Sequence, residues 1–397
     1  MSILFQPLPS TTTTSIAASR TILACGAWLK NTACLLRSDG VCWSPVHGDL
    51  GDPANRLALE QSVAQLVVQA NGSIVAVAHD LHPDFFSTRL AQRIAGELGV
   101  PAMAVQHHHA HIGVLMAEYG LQEPVIGLAL DGVGLGTDGL AWGGELLLVD
   151  GASWRRIGHL GALALPGGDA AAREPWRMAA AVLHALGRGD EIASRFSASV
   201  GVMAARTVQT MLQRGFNCPQ TTGAGRWFDA AAGALGISVK QSVEAEAAMA
   251  LEKMAADYLV AHGEPENSGC YVPEANGKLD LLPLLAHLFA CEDSGDPQTV
   301  ARGAVLFHLV LADALIAWAD QAARLHRAKI IALGGGCFFN RILTERLVKG
   351  LSRRGLKVLL PKTVSCGDSG SALGQAWVAR QQLQADCALA NQEPLMM

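Results

Sequence analysis

Gln106-His107-His108-His109-Ala110-His111-Ile112 is the stretch around which the rest of the chain is read. Four of the thirteen histidines fall within five positions, after the short apolar run 102–105 and ahead of a helix-like pattern reaching Glu118. His107 and His111 stand at i and i+4, which on a helix stacks two imidazoles on one face, within reach of a single cation. HxxxH alone is a loose pattern, and a histidine-rich helix start that is merely packed or surface-exposed gives the same spacing. What favours a ligand pair is the place of a third candidate elsewhere in the chain.

Before this stretch, strand patterns at 21–27, 32–37 and 41–45 with a turn at Ser38-Asp39-Gly40 predict an antiparallel meander. A helix at 54–69, an apolar strand at 73–78, a helix at 86–98 and a strand at 102–105 lead to the histidine helix, giving β-β-β-α-β-α-β-α. The same order recurs after it. A strand at 124–130 runs into Asp131-Gly132-Val133-Gly134-Leu135-Gly136-Thr137-Asp138-Gly139, followed by strands at 140–149 and 154–163. Beyond a long helical region come a buried strand at 328–333 ending in Gly334-Gly335-Gly336, a helix at 339–354, a strand at 356–360 and a helix from near Ser369.

Such a duplication predicts an α/β protein of two lobes about a pseudo-twofold axis, with a cleft between them. Parallel strands present functional groups at their carboxyl ends. The loop 361–370 with Asp368 is therefore the counterpart of the loop that carries His107 and His111. Two histidines and one carboxylate leave positions open for water or substrate, as catalytic zinc and non-haem iron sites do. The expected organisation is a mobile leader at 1–20, a first lobe at 21–122, a second lobe at 123–165 and 302–385, a mostly helical insertion at 166–301 and a tail at 386–397.

Half the residues are hydrophobic, 16% are charged and the formal net charge is −5, a balance that argues against a broad nucleic-acid surface. The nine cysteines include no CxxC pair and read as free thiols of a reducing compartment. With no signal peptide and no uninterrupted apolar run of membrane-spanning length, a cytoplasmic protein without a membrane partner is expected.

The loop that starts at Asp131 follows a strand and enters another strand, so it is not the dinucleotide fingerprint. Gly132, Gly134, Gly136 and Gly139 would let a hairpin bring N–H groups close to phosphate, although one such loop alone reads as an ordinary hairpin. Gly334, Gly335 and Gly336 open a helix containing Asn340 and offer a second set of donors. Two glycine loops at matching ends of the two copies point to a bound nucleotide. Asp131 would face either the cation of the histidines or a magnesium ion of the nucleotide.

Several residues keep two readings. Asp229, after the Gly223-Ala224-Gly225 turn, is a ribose acceptor or, taken alone, more readily a helix cap. Glu252 and Asp257 read as solvated. His108 and His109 serve as acid, base or support, or simply pack. Arg173 and Arg177 hold an anion or pair with Glu174, the first being slightly favoured.

The segments His79-Asp80-Leu81-His82-Pro83-Asp84, Val105 to His111, Asp131 to Gly139, Leu165-Pro166-Gly167-Gly168-Asp169 and Arg173-Glu174-Pro175-Trp176-Arg177-Met178 resemble motifs of the HypF family. So do Gly225-Arg226-Trp227-Phe228-Asp229-Ala230, Leu333 to Arg341 and Gly374-Gln375-Ala376, all in family order. HypF proteins are carbamoyltransferases of nickel–iron hydrogenase maturation. The resemblance implies an ASKHA (actin/Hsp70-like, ribonuclease H-like) fold, shared with tRNA threonylcarbamoyl transferases and antibiotic O-carbamoyltransferases. It implies a carbamoyl-adenylate, made from carbamoyl phosphate and ATP, whose carbamoyl group passes to the C-terminal cysteine of HypE for cyanide-ligand synthesis.

Carried over by residue, His107, His111 and Asp368, with Asp131 as a fourth, are the implied catalytic ligands of one divalent ion, zinc or iron. Gly132, Gly134, Gly136, Gly334, Gly335, Gly336, Asp229 and Asn340 would surround the nucleotide, with or without magnesium. Full-length members resemble a string of acylphosphatase, zinc-finger and YrdC-like modules before this one, so a short form carrying the transferase module is expected. Ser365-Cys366-Gly367-Asp368-Ser369-Gly370 departs from the Asn-Asp-Gly-Gly core usual in the family. The rival expectations are a small-molecule O-carbamoyltransferase, and a carbamoyl-phosphate hydrolase or scaffold without transfer.

Overall fold

The computed structural model describes residues 3–8, 20–266, 272 and 274–390. The first lobe contains β1 (Leu4–Pro7), β2 (Thr21–Ala24), β3 (Cys34–Leu36), β4 (Gly40–Trp43), α1 (Pro53–Ala70), β5 (Ile74–Asp80), α2 (Phe86–Leu98), β6 (Ala102–Val105) and α3 (His107–Tyr119). Its strands are apolar on both faces because helices cover both. Ile22, Ala24 and Leu36 face the helix Ser371–Ala390, whereas Leu23, Cys25 and Leu35 alternate to the side of α1 and α2.

The second lobe begins with β7 (Val125–Leu135), β8 (Ala141–Asp150), β9 (Ser153–Leu160) and the short β10 (Leu163–Ala164). The insertion supplies α4 (Asp169–Arg173), α5 (Pro175–Ala185), α6 (Glu191–Val200), α7 (Val202–Arg214), β11 (Gln220–Thr221), α8 (Ala224–Ala234), α9 (Glu246–His262), β12 (Glu274–Ala275), β13 (Lys278–Leu279) and α10 (Leu282–Asp293). The lobe resumes through α11 (Pro297–His326), β14 (Ile330–Gly334), α12 (Arg341–Ser352), β15 (Lys357–Leu359) and α13 (Ser371–Ala390).

The expected duplication is present. Strand order β4-β3-β2-β5-β6 in one sheet is matched by β9-β8-β7-β14-β15 in the other. In each, the central strand, β2 or β7, pairs antiparallel with the next, β3 or β8, and parallel with the strand that returns, β5 or β14. This is the duplicated ribonuclease H-like order of the ASKHA fold. Helices α3 and α13 occupy equivalent places and cross with their backbones touching: a Cβ on Gly374 would fall inside the Ala110 carbonyl oxygen's contact radius, and one on Gly113 would lie 3.0 Å from Gly374 O.

Three expected boundaries are corrected. Leu4–Pro7 is not part of a mobile leader but pairs antiparallel with Gly40–Trp43, covering an edge that would otherwise expose unpaired backbone groups; residues 9–19 lie outside the described residues. The boundary at 301/302 falls inside α11, whose start is fixed by Asp296 as N-cap and Pro297 in the first turn. The insertion also contributes short strands, β11 pairing with β8 and β13 with β9. The tail assigned to 386–397 begins as helix, because α13 continues to Ala390. One described helix, α11, is long and apolar enough to cross a membrane, and 67% of its most apolar window is buried inside the molecule.

Candidate metal centre and nucleotide cleft

Gln106 sets where the histidine helix starts. Its side-chain oxygen accepts the His109 N–H at 2.8 Å, capping α3 so that helical geometry begins at His107. His107 and His111 then share a face, with ring centroids 4.8 Å apart. Asp80, at the carboxyl end of β5, lies 2.7 Å from His107 Nδ1, which directs Nε2 toward the cleft. Asp131 arrives on β7 at a register break between Leu130 and Gly134, a bulge that re-aims its side chain. Asp368 comes from the turn that precedes α13.

Both carboxylates converge on both imidazoles. Asp131 Oδ2 is 3.3 Å from His107 Nε2 and 3.1 Å from His111 Nε2. Asp368 Oδ1 lies 3.4 and 3.6 Å from the same two nitrogens. One donor atom from each of the four residues lies within 4.8 Å of all the others. Donors about 2.1 Å from a tetrahedral ion stand about 3.4 Å from one another, so this donor set and spacing fit a divalent cation. The carboxylate side chains keep 15% and 19% of their surface open to the cleft, the side from which a substrate would approach.

Burial opposes charge on these imidazoles, but the surrounding carboxylates outweigh it. His107 is held well above the ordinary histidine range by Asp80, Asp131 and Asp368, and His111 is raised by Asp131 and Asp368. The carboxyls are the mirror case: burial pushes both up and Asp131 pushes Asp368 up further, yet the two imidazoles hold Asp131 well below and Asp368 below the usual range. In the ion-free protein these charges contribute stability that is lost as pH rises through the raised imidazole pKa values, and also as it falls through the depressed carboxyl ones. A cation must displace the imidazole protons. Binding of cobalt or zinc at neutral pH is therefore expected to release protons and to tighten as pH rises. Calorimetry in buffers of different ionisation enthalpy measures the release.

His108 and His109 take no part. Burial pushes His108 well below its ordinary range, and its Nδ1 accepts from Gln106 Nε2 at 2.9 Å. Burial also drives His109 down to about 3, and its ring packs 5.6 Å from Trp154. Packing is thus the reading the structure supports for both.

A cleft of about 380 Å³ opens beside the cluster, sharing Asp131 with it. Of the residues assigned to the nucleotide, Gly132, Gly336, Asp229 and Asn340 line this cleft; Gly134, Gly136, Gly334 and Gly335 do not. A Cβ on Gly134 would meet His107 at 2.7 Å and one on Gly334 would meet His111 O at 2.9 Å, so these glycines make room for the histidine helix. Gly136 donates to Leu140 O at 2.8 Å in the hairpin turn. Gly335, at φ +106°, donates to Cys366 O at 2.8 Å and joins its loop to that of Asp368.

Asp229 is not a cap. It lies inside α8, paired with Arg226 at 2.8 Å, and burial raises its pKa against the pull of that guanidinium. Asn340 has both polar atoms engaged: Oδ1 caps α12 through Leu343 N–H at 2.9 Å, and Nδ2 donates to His308 Nε2 at 2.9 Å. Glu252 is not on a solvated face, since it lines the cleft and accepts the Arg341 N–H at 2.6 Å. Asp257 is exposed and pairs with Lys253. Arg177 bonds Glu174 at 2.6 Å and Arg173 is exposed, so the anion-holding role favoured for them is replaced by the pairing one for Arg177 and by solvation for Arg173.

Asp80 and Glu145 were missed as supporting residues. Glu145, fully buried, accepts from Gly143 N at 2.9 Å, Gly144 N at 3.1 Å, Thr222 Oγ1 at 2.5 Å and Arg156 Nε at 2.6 Å, tying the Asp131 hairpin to the loop before α8. Asp80 sits at a strand's carboxyl end, and the rule that located Asp368 could have found it. Asp80→Asn is expected to weaken metal affinity about ten- to hundredfold with little change in folding, measured by competition with a chromophoric chelator.

Two ribonuclease H-like lobes holding a His-His-Asp-Asp cluster in their cleft define an ASKHA protein with a metal-competent centre. A family model described as HypF Kae1-like domain matches residues 17–118, and one described as Carbamoyltransferase, Kae1-like Domain, second subdomain, matches 127–375. The chain belongs to the HypF carbamoyltransferase family. It is 64% identical over 374 residues to a carbamoyltransferase HypF homolog of Cupriavidus necator, covering 94% of each chain. It is 48% identical over 384 residues to carbamoyltransferase HypF2 of the same organism, covering 91% of this chain and 46% of that one. The crystal structure of T. kodakarensis HypF superposes with a TM-score of 0.82 at 29% identity, over 96% of this chain and 50% of that one. A full-length HypF in the phosphate- and nucleotide-bound form gives 0.80 at 29% identity, over 96% and 57%. The chain thus spans nearly all of one relative and about half of the others.

Proposed function

We propose that this chain transfers a carbamoyl group from carbamoyl-adenylate to a thiol, the C-terminal cysteine of HypE, as a step of hydrogenase maturation. The observation that carries this reading is the sharing of Asp131 between the four-residue cluster and the 380 Å³ cleft, which brings a metal-competent centre to one end of a nucleotide-sized cavity. The relative solved with phosphate and nucleotide supports it.

His107, His111, Asp131 and Asp368 would hold the divalent ion, zinc or iron. When bound, the ion supplies positive charge beside the carbamoyl carbonyl or the adenylate phosphate. The chain does the rest by placement. Asp80 keeps the His107 Nδ1 proton in place, so Nε2 faces the cluster. Gly132 has open space where a Cβ would be, and Gly336 meets only Asp131, so the acyl-phosphate end of the ligand can approach both backbones. Arg226 is neutralised by Asp229, whereas Lys30 is paired only through an exposed contact with Glu244 at 2.9 Å, which is cheap to exchange for a phosphate. The partner thiolate attacks the carbamoyl carbon and AMP leaves.

The test is single-turnover transfer from preformed carbamoyl-adenylate to HypE, read by intact mass. A thiocarbamate on the HypE cysteine that is absent with His107→Ala supports the proposal. No modification by folded, metal-loaded protein contradicts it.

A further inference from the structure

Helix α3 carries His107 and His111 in its first turns and Glu118 in its last. Glu118 is 3% exposed. Its carboxylate accepts four hydrogen bonds from the segment that leaves β15: Oε2 from Lys362 N at 2.8 Å, and Oε1 from Thr363 N at 3.0 Å, Val364 N at 3.1 Å and the Thr363 hydroxyl at 2.6 Å. Three consecutive backbone N–H groups therefore close on one buried side chain. Around this grip, the Tyr119 hydroxyl donates to Leu360 O at 2.8 Å, and Gln6 of β1 donates to Thr363 Oγ1 at 2.5 Å.

The same segment carries Asp368. It has two further anchors: Gly335 N–H on Cys366 O at 2.8 Å and the Thr32 hydroxyl on Ser369 O at 2.8 Å. Among these, the Glu118 anchor belongs to the helix that also holds both histidines. Charge-assisted bonds to backbone N–H groups fix a chain's path as well as its attachment. An apolar side chain in its place would leave the three N–H groups and the Thr363 hydroxyl without this acceptor, so the carboxylate holds the segment by satisfying its donors. What the carboxylate adds is register between α3 and the loop, and hence between the imidazoles and Asp368.

We infer that Glu118 is a positioning residue of the metal centre, which sets Asp368 at its distance from His107 and His111 through the segment 362–368; this rests on the metal-centre reading above. Glu118→Gln keeps the volume but turns one acceptor oxygen into a donor. Either the Lys362 N–H or the Thr363 and Val364 pair then faces an amide NH₂, and the loop must shift.

Cobalt(II) titration followed by d–d absorption tests this with wild type, Glu118→Gln, Asp368→Asn and the double variant, each ion-free form being melted in parallel. Glu118→Gln is expected to bind cobalt about ten- to hundredfold more weakly, with a changed spectrum. The double variant is expected to bind no more weakly than Asp368→Asn alone, because both act through one ligand. Thr363→Val, which removes one of the four donors, is expected to weaken binding roughly two- to fivefold and covers the case in which Glu118→Gln does not fold. Wild-type affinity in a folded Glu118→Gln, losses that add in the double variant, or unchanged affinity in Thr363→Val would each overturn the inference. Failure of the wild-type protein itself to bind cobalt is a separate result, and it condemns the metal-centre reading.

Discussion

His111→Ala is expected to abolish stoichiometric metal binding and to lower single-turnover carbamoyl transfer by about a thousandfold or more. The argument is geometric. His111 Nε2 lies within 3.1 Å of Asp131 and 3.6 Å of Asp368, and its ring is 1% exposed, so its removal leaves a cavity that a water can fill only as a weaker, unfixed ligand. Without it the two carboxylates share one imidazole in a buried setting, and their mutual repulsion favours protonation over ion uptake. A lost electrostatic contribution of several kcal/mol at the reacting carbonyl corresponds to the rate expected. Metal content per chain after dialysis and the burst of thiocarbamate by intact mass check the two halves of this expectation separately.

Gly374→Ala should destabilise the protein by at least about 3 kcal/mol, the upper range for overpacking. A Cβ at this position would stand far closer than 3.0 Å to the Ala110 carbonyl oxygen, and a backbone atom cannot swing aside as a side chain can. Separation of α3 from α13 is the available relief. Those helices carry His107 and His111 on one side and follow Asp368 on the other, so the variant is expected to lose metal affinity along with stability. Denaturant unfolding with and without cobalt measures both: a midpoint near that of wild type would contradict the close crossing.

The features legible in the sequence were those set by local patterning or by chain order. Alternation and run length located β2 to β9 and α1 to α3, because the first-lobe strands are covered on both faces and read as short apolar runs. The duplicated order then led to Asp368, far from His107 in sequence, since equivalent loops of equivalent lobes must face each other across the axis. What local reading missed was tertiary pairing. Nothing near Leu4 announces that β4 has a free edge, and Glu252 looked solvated because its partners, the N–H groups of Arg341 and Ile342, belong to a distant helix start. The glycine loops were over-read for the same reason. Gly134 and Gly334 were assigned to a nucleotide, yet their missing side chains admit the histidine helix, a neighbour that glycine spacing does not name. Asp229 looked like a cap because the turn before it is visible in sequence and its burial against Arg226 is not.

Anomalous diffraction from crystals grown with zinc or iron, collected on either side of the metal absorption edge, addresses the central claim most directly. One peak per chain is expected, bounded by His107 Nε2, His111 Nε2, Asp131 and Asp368, and absent from crystals of His111→Ala. A metal-loaded protein whose peak lies elsewhere, or whose four residues stay ion-free while transfer proceeds, would contradict the metal centre as the heart of this site.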